Sequence, residues 1–600
     1  LPGPAQVPVV KVDGQVKALR TLILTLGGAS LYMASFDSHM FSPDDLQRYR
    51  LSTALALRGF SALRHSGGIS KYPPLLSLLG ALPIKLGIAW DHGSPGVWAS
   101  RLATMVSIVA CTALIPIFLT IARTLGIGER LATVATVLFT ISNPLWPYSK
   151  RFLSEPLSAA LCLGAFAGVL IYVRTNRRGP LIGGLLCLAV LPLNNMVVPV
   201  ALTVGLLLFA WLDHRRGLAL AIGAAFGCGA LAAVGMLIVR FGGIAKGGYD
   251  NEGFTFHIID ALHGLLFGPG RSIFLFAPMT FLALFGWRAL ARWDRGFAFG
   301  ALAAVIVCLG INGCWWAWYG GVCFGPRLML PVLPLASVGA LALFQQPRRW
   351  LIPAGVVVGL FGLYVQILGA AFSQDYDIYY YLKPDYSNES LAWFDPGHSD
   401  LLRIPRHFRD QPWDFSSDFL TLKQRDPSTV NIDGQPVRQV RIVQENDAQF
   451  SWWTITDIFA IVRKGASERR VPVGQLGATL EAYNHQDGRG ALDGNPRTRW
   501  TSGVTRFDGM SVTLDFGQVR NDIVRLELTH LPSENDFPSA LGAQISVGNG
   551  TWTPVPAMAA TPLLVWNPAI WILALCGVLL LLLGLALPAG RPRAVAAAPA

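Results

Sequence analysis

The chain has 600 residues, of which 52% are hydrophobic and only 14% charged, with a mean hydropathy of +0.45. A soluble protein of this size needs about 25% charged residues to cover its surface, so a soluble globular enzyme is excluded. The formal charge of +12 would suit a nucleic-acid partner, but the arginines lie in short loops between apolar blocks and read as membrane topology instead.

Taken in order, the apolar blocks approach the roughly 20 residues that cross a bilayer. Residues 19–36, behind Lys11, Lys17 and Arg20, read as a first span leading outward rather than as a cleavable signal. Segment 37–95 then lies outside, and 97–122 returns. Spans 130–147 and 152–173 form the next outward hairpin, and 180–212 reads as two short spans broken at Pro192-Leu193-Asn194-Asn195. Spans 217–239 and 271–287 flank an outer loop, as do 296–313 and 328–344; span 350–369 leads out and 564–587 returns.

The count is about twelve spans. It places Arg174, Arg177, Arg178, Arg215, Arg216, Arg288, Arg292, Arg295, Arg348, Arg349, Arg591 and Arg593 inside. Both termini are then cytoplasmic. Residues 73–90 are apolar enough to span, but counting them would invert every later loop, so they read as a helix at the outer interface. Lys150 and Arg151 fall outside, against the charge rule.

Segment 373–560 loses the long apolar blocks. Val437-Arg438-Gln439-Val440-Arg441-Ile442-Val443 and Val512-Thr513-Leu514-Asp515-Phe516 alternate with period two between turn residues. This predicts an all-β sandwich domain outside the membrane. The expected organisation is a helical membrane domain over 1–370, an outer connector over 371–425, a β-sandwich over 426–560, and a final span with a basic tail over 561–600. Of eight cysteines, Cys314 and Cys323 share an expected outer loop, as a disulfide or as two thiols.

Four outer strings carry chemistry. Ser42-Pro43-Asp44-Asp45 opens a helical pattern: Ser42 suits the N-cap and Pro43 the first position. The two carboxylates then serve the helix terminus, act as a general base, or hold a divalent cation that steadies a diphosphate. Ser70-Lys71-Tyr72-Pro73-Pro74 offers Lys71 as a snorkelling anchor or a phosphate contact. In Tyr148–Pro156, Lys150 and Arg151 lack a topological reason to be outside, while Ser154 and Glu155 suit a helix start. Gly268-Pro269-Gly270-Arg271 and Gly325-Pro326-Arg327 each set an arginine at the mouth of a span, where it can grip phosphate oxygens. No Walker loop, HExxH or zinc spacing appears.

The strings SPDDLQRY (42–49), SKYPP (70–74), SEP (154–156), GYDNEGF (248–254), LLFGPGR (265–271) and FGPRLMLPVLP (324–334), in this order, resemble bacterial membrane glycosyltransferases of the GT-C class. The resemblance covers about 1–370 and implies an inverting transferase using a polyprenyl-phosphate sugar donor. Its acceptor would be a glycan or lipid-linked molecule outside the cytoplasmic membrane. It implies Asp44 or Asp45 as base. Arg48, Lys71, Tyr72, Lys150, Arg151, Glu155, Arg271 and Arg327 would be donor or substrate contacts. Where many relatives have KYGPG-type strings, this chain has KYPP, which puts donor contacts there in doubt.

In the β domain, the run Ala491 to Trp500, with 510–517 and Trp552, is similar to the discoidin (coagulation factor 5/8 C-type) carbohydrate-binding sandwich. That likeness implies Asp493, Asn495, Arg499 and Trp500 as domain residues of interest, with calcium at Asp493. A plain turn in which Asp493 and Asn495 bond backbone is the other reading. The alternative to transfer is a flippase of polysaccharide precursors, which calls for charges along a mid-membrane route. A glycan-binding protein on an anchor would need only one span.

Overall fold

The computed structural model describes residues 14–36, 42–64, 66–91, 93, 97–243, 252–321, 323–345, 349–371, 388–410, 420–445, 453–483, 488–494, 498–502, 507–530, 538, 540–566 and 568–588. Lys11, residues 248–251, Arg348, Asn495, Arg591 and Arg593 lie outside that set. The chain divides into two compact units. One is helical and comprises 1–375, 388–405 and 568–600; the other comprises 376–387 and 406–567 and carries all the strands among the described residues.

The helical unit contains α1 Gly14–Met33, α2 Pro43–Arg58, α3 Leu75–Trp90, α4 Val97–Thr124, α5 Glu129–Ile141, α6 Leu145–Ser149, α7 Ser154–Thr175, α8 Arg178–Val190, α9 Val198–Leu212 and α10 Arg216–Phe241. It continues with α11 Ile258–Phe267, α12 Ile273–Phe276, α13 Met279–Trp293, α14 Arg295–Gly313, α15 Leu333–Ser337, α16 Leu341–Gln345 and α17 Leu351–Ala371. The short α18 Leu391–Phe394 follows. Helix α19, Asp400–Asp410, starts in this unit, and α20 Pro568–Ala586 closes it.

This is an integral membrane protein, but the expected count of about twelve spans needs correction. Among the described residues, six helices are long and apolar enough to cross a membrane by length and composition; they are α4, α7, α10, α14, α17 and α20. The reason is local chemistry. Proline lacks an N–H and clashes with the preceding turn, so the apolar runs at 180–212, 271–287 and 328–344 fold as short helices and 3-10 turns broken around Pro192, Pro278 and Pro331. Helix α3 has 16 residues, about 24 Å at 1.5 Å per residue, and leaves Leu79, Leu82 and Leu86 exposed.

Broken backbone inside an apolar bundle must find internal partners. At the 191–197 break, Asn195 Oδ1 accepts the N–H groups of Val197 and Val198 at 2.9 and 3.0 Å. Asn194 Nδ2 donates to the Ser154 carbonyl at 2.8 Å and to Ser158 Oγ at 2.9 Å. This break therefore braces the start of α7. At the other end of the bundle, Arg20 of α1 donates to the Gly584 and Leu587 carbonyls at 3.2 and 2.6 Å, satisfying orphan C-terminal carbonyls of α20. Helix α7, with 22 residues, rises about 33 Å. It thus separates Glu155 in its first turn from Arg174 in its last by about the thickness of a bilayer core.

The second unit has strands β1 Leu420–Asp426, β2 Ser428–Asn431, β3 Val437–Gln444, β4 Thr454–Ile455, β5 Asp457–Lys464, β6 Ser467–Pro472, β7 Thr479–Glu481, β8 Trp500–Thr501, β9 Ser511–Arg520, β10 Ile523–Thr529, β11 Leu541–Ser546, β12 Thr553–Val555, β13 Ala557–Met558 and β14 Thr561–Trp566. They form two open five-stranded sheets, β13-β2-β10-β5-β6 and β12-β11-β3-β9-β7, and two two-stranded pairs, β1-β14 and β4-β8. All described pairings are antiparallel.

Alternation decides which side chains face in. Val512, Leu514 and Phe516 of β9 join Val440 and Ile442 of β3 and Leu526 and Leu528 of β10 in one buried cluster drawn from both large sheets. Strand β3 slips register between Val437 and Gln439. The step is two residues on β3 against five on β9, so the extra residues lie on β9.

Candidate functional site

The expected N-cap forms. Ser42 Oγ accepts the Asp45 N–H at 3.2 Å, Pro43 opens α2, and Gly59 ends it at φ +66°. Capping falls to the serine, so the two carboxylates are left for other partners, and they find different ones.

Asp45 is 1% exposed and its Oδ2 accepts from Arg151 Nε at 2.9 Å. The Asp44 side chain is 25% exposed. Its Oδ2 accepts from Arg327 Nη2 at 2.6 Å, and its Oδ1 accepts the Tyr72 hydroxyl. Arg327 also donates through Nε to Glu155 Oε1 at 2.7 Å and through Nη1 to the Gly320 carbonyl at 3.4 Å. One buried guanidinium therefore joins α2, α7 and the loop before α15.

Arg48, one turn along α2 from Asp44, lies 3.8 Å from the Tyr72 ring centroid and donates to Ser154 Oγ at 3.2 Å. Lys71 forms an ion pair with Glu252, both partly exposed. The backbone of Lys71 and Tyr72 is itself held. Lys71 N–H donates to Gln47 Oε1 at 3.3 Å, and Arg240 at the end of α10 donates to the Tyr72 and Ser70 carbonyls.

These neighbours set the electrostatics. Burial alone would raise the Asp44 carboxyl. Arg327 and Arg48, with the hydrogen bond from Tyr72, outweigh it and hold the group well below the usual carboxylate range. Burial and the adjacent Asp44 push the Tyr72 phenol above its ordinary value, so it stays a hydrogen-bond donor at neutral pH. The arrangement is an ionised, solvent-reaching carboxylate ringed by fixed cations. It can accept a hydrogen bond from an incoming hydroxyl while the cations hold an anionic group.

Asp44, Asp45, Arg48, Lys71, Tyr72, Arg151, Glu155 and Arg327 thus come together. Lys150 and Arg271 have other company. Lys150 is buried and donates to the Ala370 carbonyl at 2.8 Å. Arg271 is 2% exposed and donates to the Tyr319, Gly270 and Gly321 carbonyls at 3.0, 2.9 and 3.3 Å. Its Nη1 also lies 3.8 Å from Asp400.

Sequence reasoning missed Glu252, whose only signal was its place in the string at 248–254. It also missed Arg240, hidden at the end of an otherwise apolar helix. Cys314 and Cys323 are free thiols; Cys323 Sγ donates to the Gly325 carbonyl at 3.5 Å.

Where the sequence left room for a divalent cation, Asp44 faces Arg327 and Asp45 faces Arg151. Among the described residues, no group of three or more His, Cys, Asp or Glu gathers. In the β unit, both Asp493 oxygens accept from the Thr498 hydroxyl at 2.8 Å. Asp457 is 3% exposed; burial pushes its carboxyl up, and nearby Asp493 adds to that. Trp500 is buried edge-on to Trp453, with centroids 5.9 Å apart, as a core residue. Arg499 precedes it, just before β8, and Asn495 lies outside the described residues.

No family model and no curated protein matches the chain. Among solved structures it is similar to ArnT from Cupriavidus metallidurans bound to undecaprenyl phosphate, at TM-score 0.41 and 16% identity over 65% of this chain and 74% of that one. It is also similar to the Archaeoglobus fulgidus oligosaccharyltransferase, at TM-score 0.40 and 15% identity over 64% of this chain and 58% of that one. A third likeness, to arabinosyltransferase EmbB from Mycobacterium smegmatis, has TM-score 0.35 and 11% identity over 94% of this chain and 66% of that one.

Proposed function

We propose that the chain is an inverting GT-C-type glycosyltransferase that moves a sugar from a polyprenyl-phosphate donor to a glycan or lipid-linked acceptor outside the membrane. The observation that carries this reading is the contrast between the two carboxylates: Asp44 reaches solvent among Arg48, Tyr72 and Arg327, while Asp45 is sealed against Arg151.

In the reaction, the acceptor oxygen attacks the anomeric carbon, the bond from that carbon to the phosphate oxygen breaks, and the phosphate leaves with the electron pair. Asp44 orients the acceptor hydroxyl and accepts its proton late, when attack has made that hydroxyl acidic. A low carboxyl pKa suits this order: the group is always ionised, and phosphate is a good enough leaving group to need no acid. Lys71 exchanges Glu252 for the donor phosphate, helped by Arg48 and Arg327. An apolar cavity of about 200 Å³ lined by Pro73, Pro74, Leu193, Phe226, Met236 and Arg240 begins beside Tyr72 and offers the lipid a path. The reading uses no metal at the acidic pair. The β unit is read as a discoidin-like sandwich that holds glycan, with calcium at Asp493; a calcium-dependent rise in its melting temperature supports that assignment, and no rise returns Asp493 to a turn.

The test is sugar transfer by purified protein from a panel of radiolabelled polyprenyl-phosphate sugars, with Asp44→Asn and Asp45→Asn alongside. Transfer lost in Asp44→Asn supports the assignment. Transfer surviving in that variant refutes Asp44 as base, and lipid translocation without transfer would favour the flippase.

A further inference from the structure

Residues 388–405 belong to the helical unit, and the sequence offers no reason for it: the segment is neither a span nor a strand. Its seat is the Gly268-Pro269-Gly270 turn. The Gly270 N–H donates to the Trp393 carbonyl at 3.2 Å, and Ser399 Oγ donates to the Pro269 carbonyl at 2.6 Å. A Cβ on Gly270 would meet the Ala392 carbonyl oxygen at 1.8 Å, so only glycine lets the segment lie this close. Trp393 stacks on Tyr319 with centroids 4.1 Å apart. The Tyr364 hydroxyl of α17 donates to the Leu401 carbonyl. Asp400, 2% exposed, pairs with Arg403 at 2.6 Å and faces Arg271 at 3.8 Å.

Arg271 passes this seat on to the loop at 319–321, whose Tyr319 and Gly321 carbonyls it holds. The loop turns through positive φ at Gly320 and Gly321, +83° and +71°, which aims three successive carbonyls at arginines. Between the two gripped by Arg271 lies the Gly320 carbonyl, and that one is taken by Arg327. Arg327 in turn carries Asp44 and Glu155.

We propose that 388–405 is a strap belonging to the catalytic unit, and that Asp400 is a positioning residue acting through Arg271 and the 319–321 loop to fix Arg327 against Asp44. This rests on the reading of Asp44 as the working carboxylate. It assigns Arg271 to holding the loop rather than to the donor phosphate, since each of its three nitrogens donates to a backbone carbonyl. A misplacement of about 1 Å remote from the chemistry can cost up to about 100-fold in rate, and the strap is the element placed to prevent it.

Two readouts on the full-length protein test this, one of them independent of activity. Cys323 is buried and bonds to the Tyr319 and Gly325 carbonyls, so its alkylation by iodoacetamide, followed by peptide mass spectrometry, reports loosening of the loop. Cys111, buried in α4, serves as control. In Asp400→Asn, Cys323 labelling should speed up about tenfold with Cys111 unchanged. The turnover number should fall roughly 10- to 100-fold with the donor KM within about twofold, and Asp400→Glu should recover most of both. Unchanged Cys323 labelling overturns the strap's hold on the loop. Faster labelling with unchanged turnover overturns the positioning role. A uniform loss, with Cys111 also exposed and no rescue by glutamate, shows a merely structural residue. Transfer that persists in Asp44→Asn sinks the reading of the site itself, and that variant alone reveals it.

Discussion

Replacing Arg327 with glutamine is the sharpest perturbation of the site, because one side chain there serves two carboxylates. Arg327 donates to Asp44 at 2.6 Å and to Glu155 at 2.7 Å, and its own side chain is 7% exposed. Breaking a buried pair by removing one partner costs about 3–5 kcal/mol, since the other charge stays buried. Asp44 is partly solvated, which puts the expected loss near the low end, about 3 kcal/mol at pH 7.

The pH dependence follows from the sign of the Asp44 shift. Its carboxyl is depressed in the folded protein, so its ionisation stabilises the fold above the ordinary carboxylate value near 4. That contribution is lost as pH falls toward the folded value. Without Arg327, burial is opposed only by Arg48 and Tyr72, and the depression shrinks. The gap in stability between wild type and Arg327→Gln should therefore be large at pH 7 and should narrow below about pH 4. Thermal unfolding in detergent at pH 7 and about pH 2, well below the ordinary carboxylate value, measures it. Turnover should fall about 100- to 1000-fold, as when one charge-stabilising donor is removed from a transition state. An equal gap at both pH values, or a wild-type melting temperature at pH 7, would refute the reasoning.

Asp45→Asn should destabilise by about 3 kcal/mol, because Arg151 loses a buried counter-charge. Turnover per folded molecule should drop far less than in Asp44→Asn, which separates holding from chemistry; melting curves paired with active-fraction kinetics read both. Gly270→Ala should lower the melting temperature and speed Cys323 alkylation, since the new methyl collides with the Ala392 carbonyl. Normal labelling in that variant would mean that the strap yields cheaply. Transfer should continue at its starting rate after dialysis against EDTA, because Asp44 and Asp45 face arginines; a loss restored by magnesium or manganese would reassign the acidic pair to a cation.

What was legible in the sequence is what depends on near neighbours. The Ser42 cap, the break at Pro192 and the alternation in β3 and β9 each follow from residues a few positions apart. The length of the spans was less legible, because prolines inside apolar runs shorten helices without lowering hydropathy. The core of the site spans 283 residues of sequence between Asp44 and Arg327, and periodicity carries no information over that distance. The strap was invisible for a related reason: 388–405 is held to residues far away in sequence, such as Pro269, Gly270 and Tyr319, and local patterning carries no trace of them.

One signal did cross the gap. In the sequence reading Lys150 and Arg151 fall outside, against the rule that places basic residues on the cytoplasmic face. A cation kept where topology does not favour it must be stabilised by something local. Arg151 has Asp45, 106 residues away, and Lys150 has the Ala370 carbonyl, 220 residues away. The departure from the charge rule suggested a phosphate or carboxylate partner for these two; Arg151 has a carboxylate, while Lys150 has a backbone carbonyl instead. Arg327 and Arg271, at span mouths where aromatic and basic residues are ordinary, gave no such departure. Their division of labour, one holding the carboxylate and the other holding the loop, needed the three carbonyls of 319–321 to be seen in space.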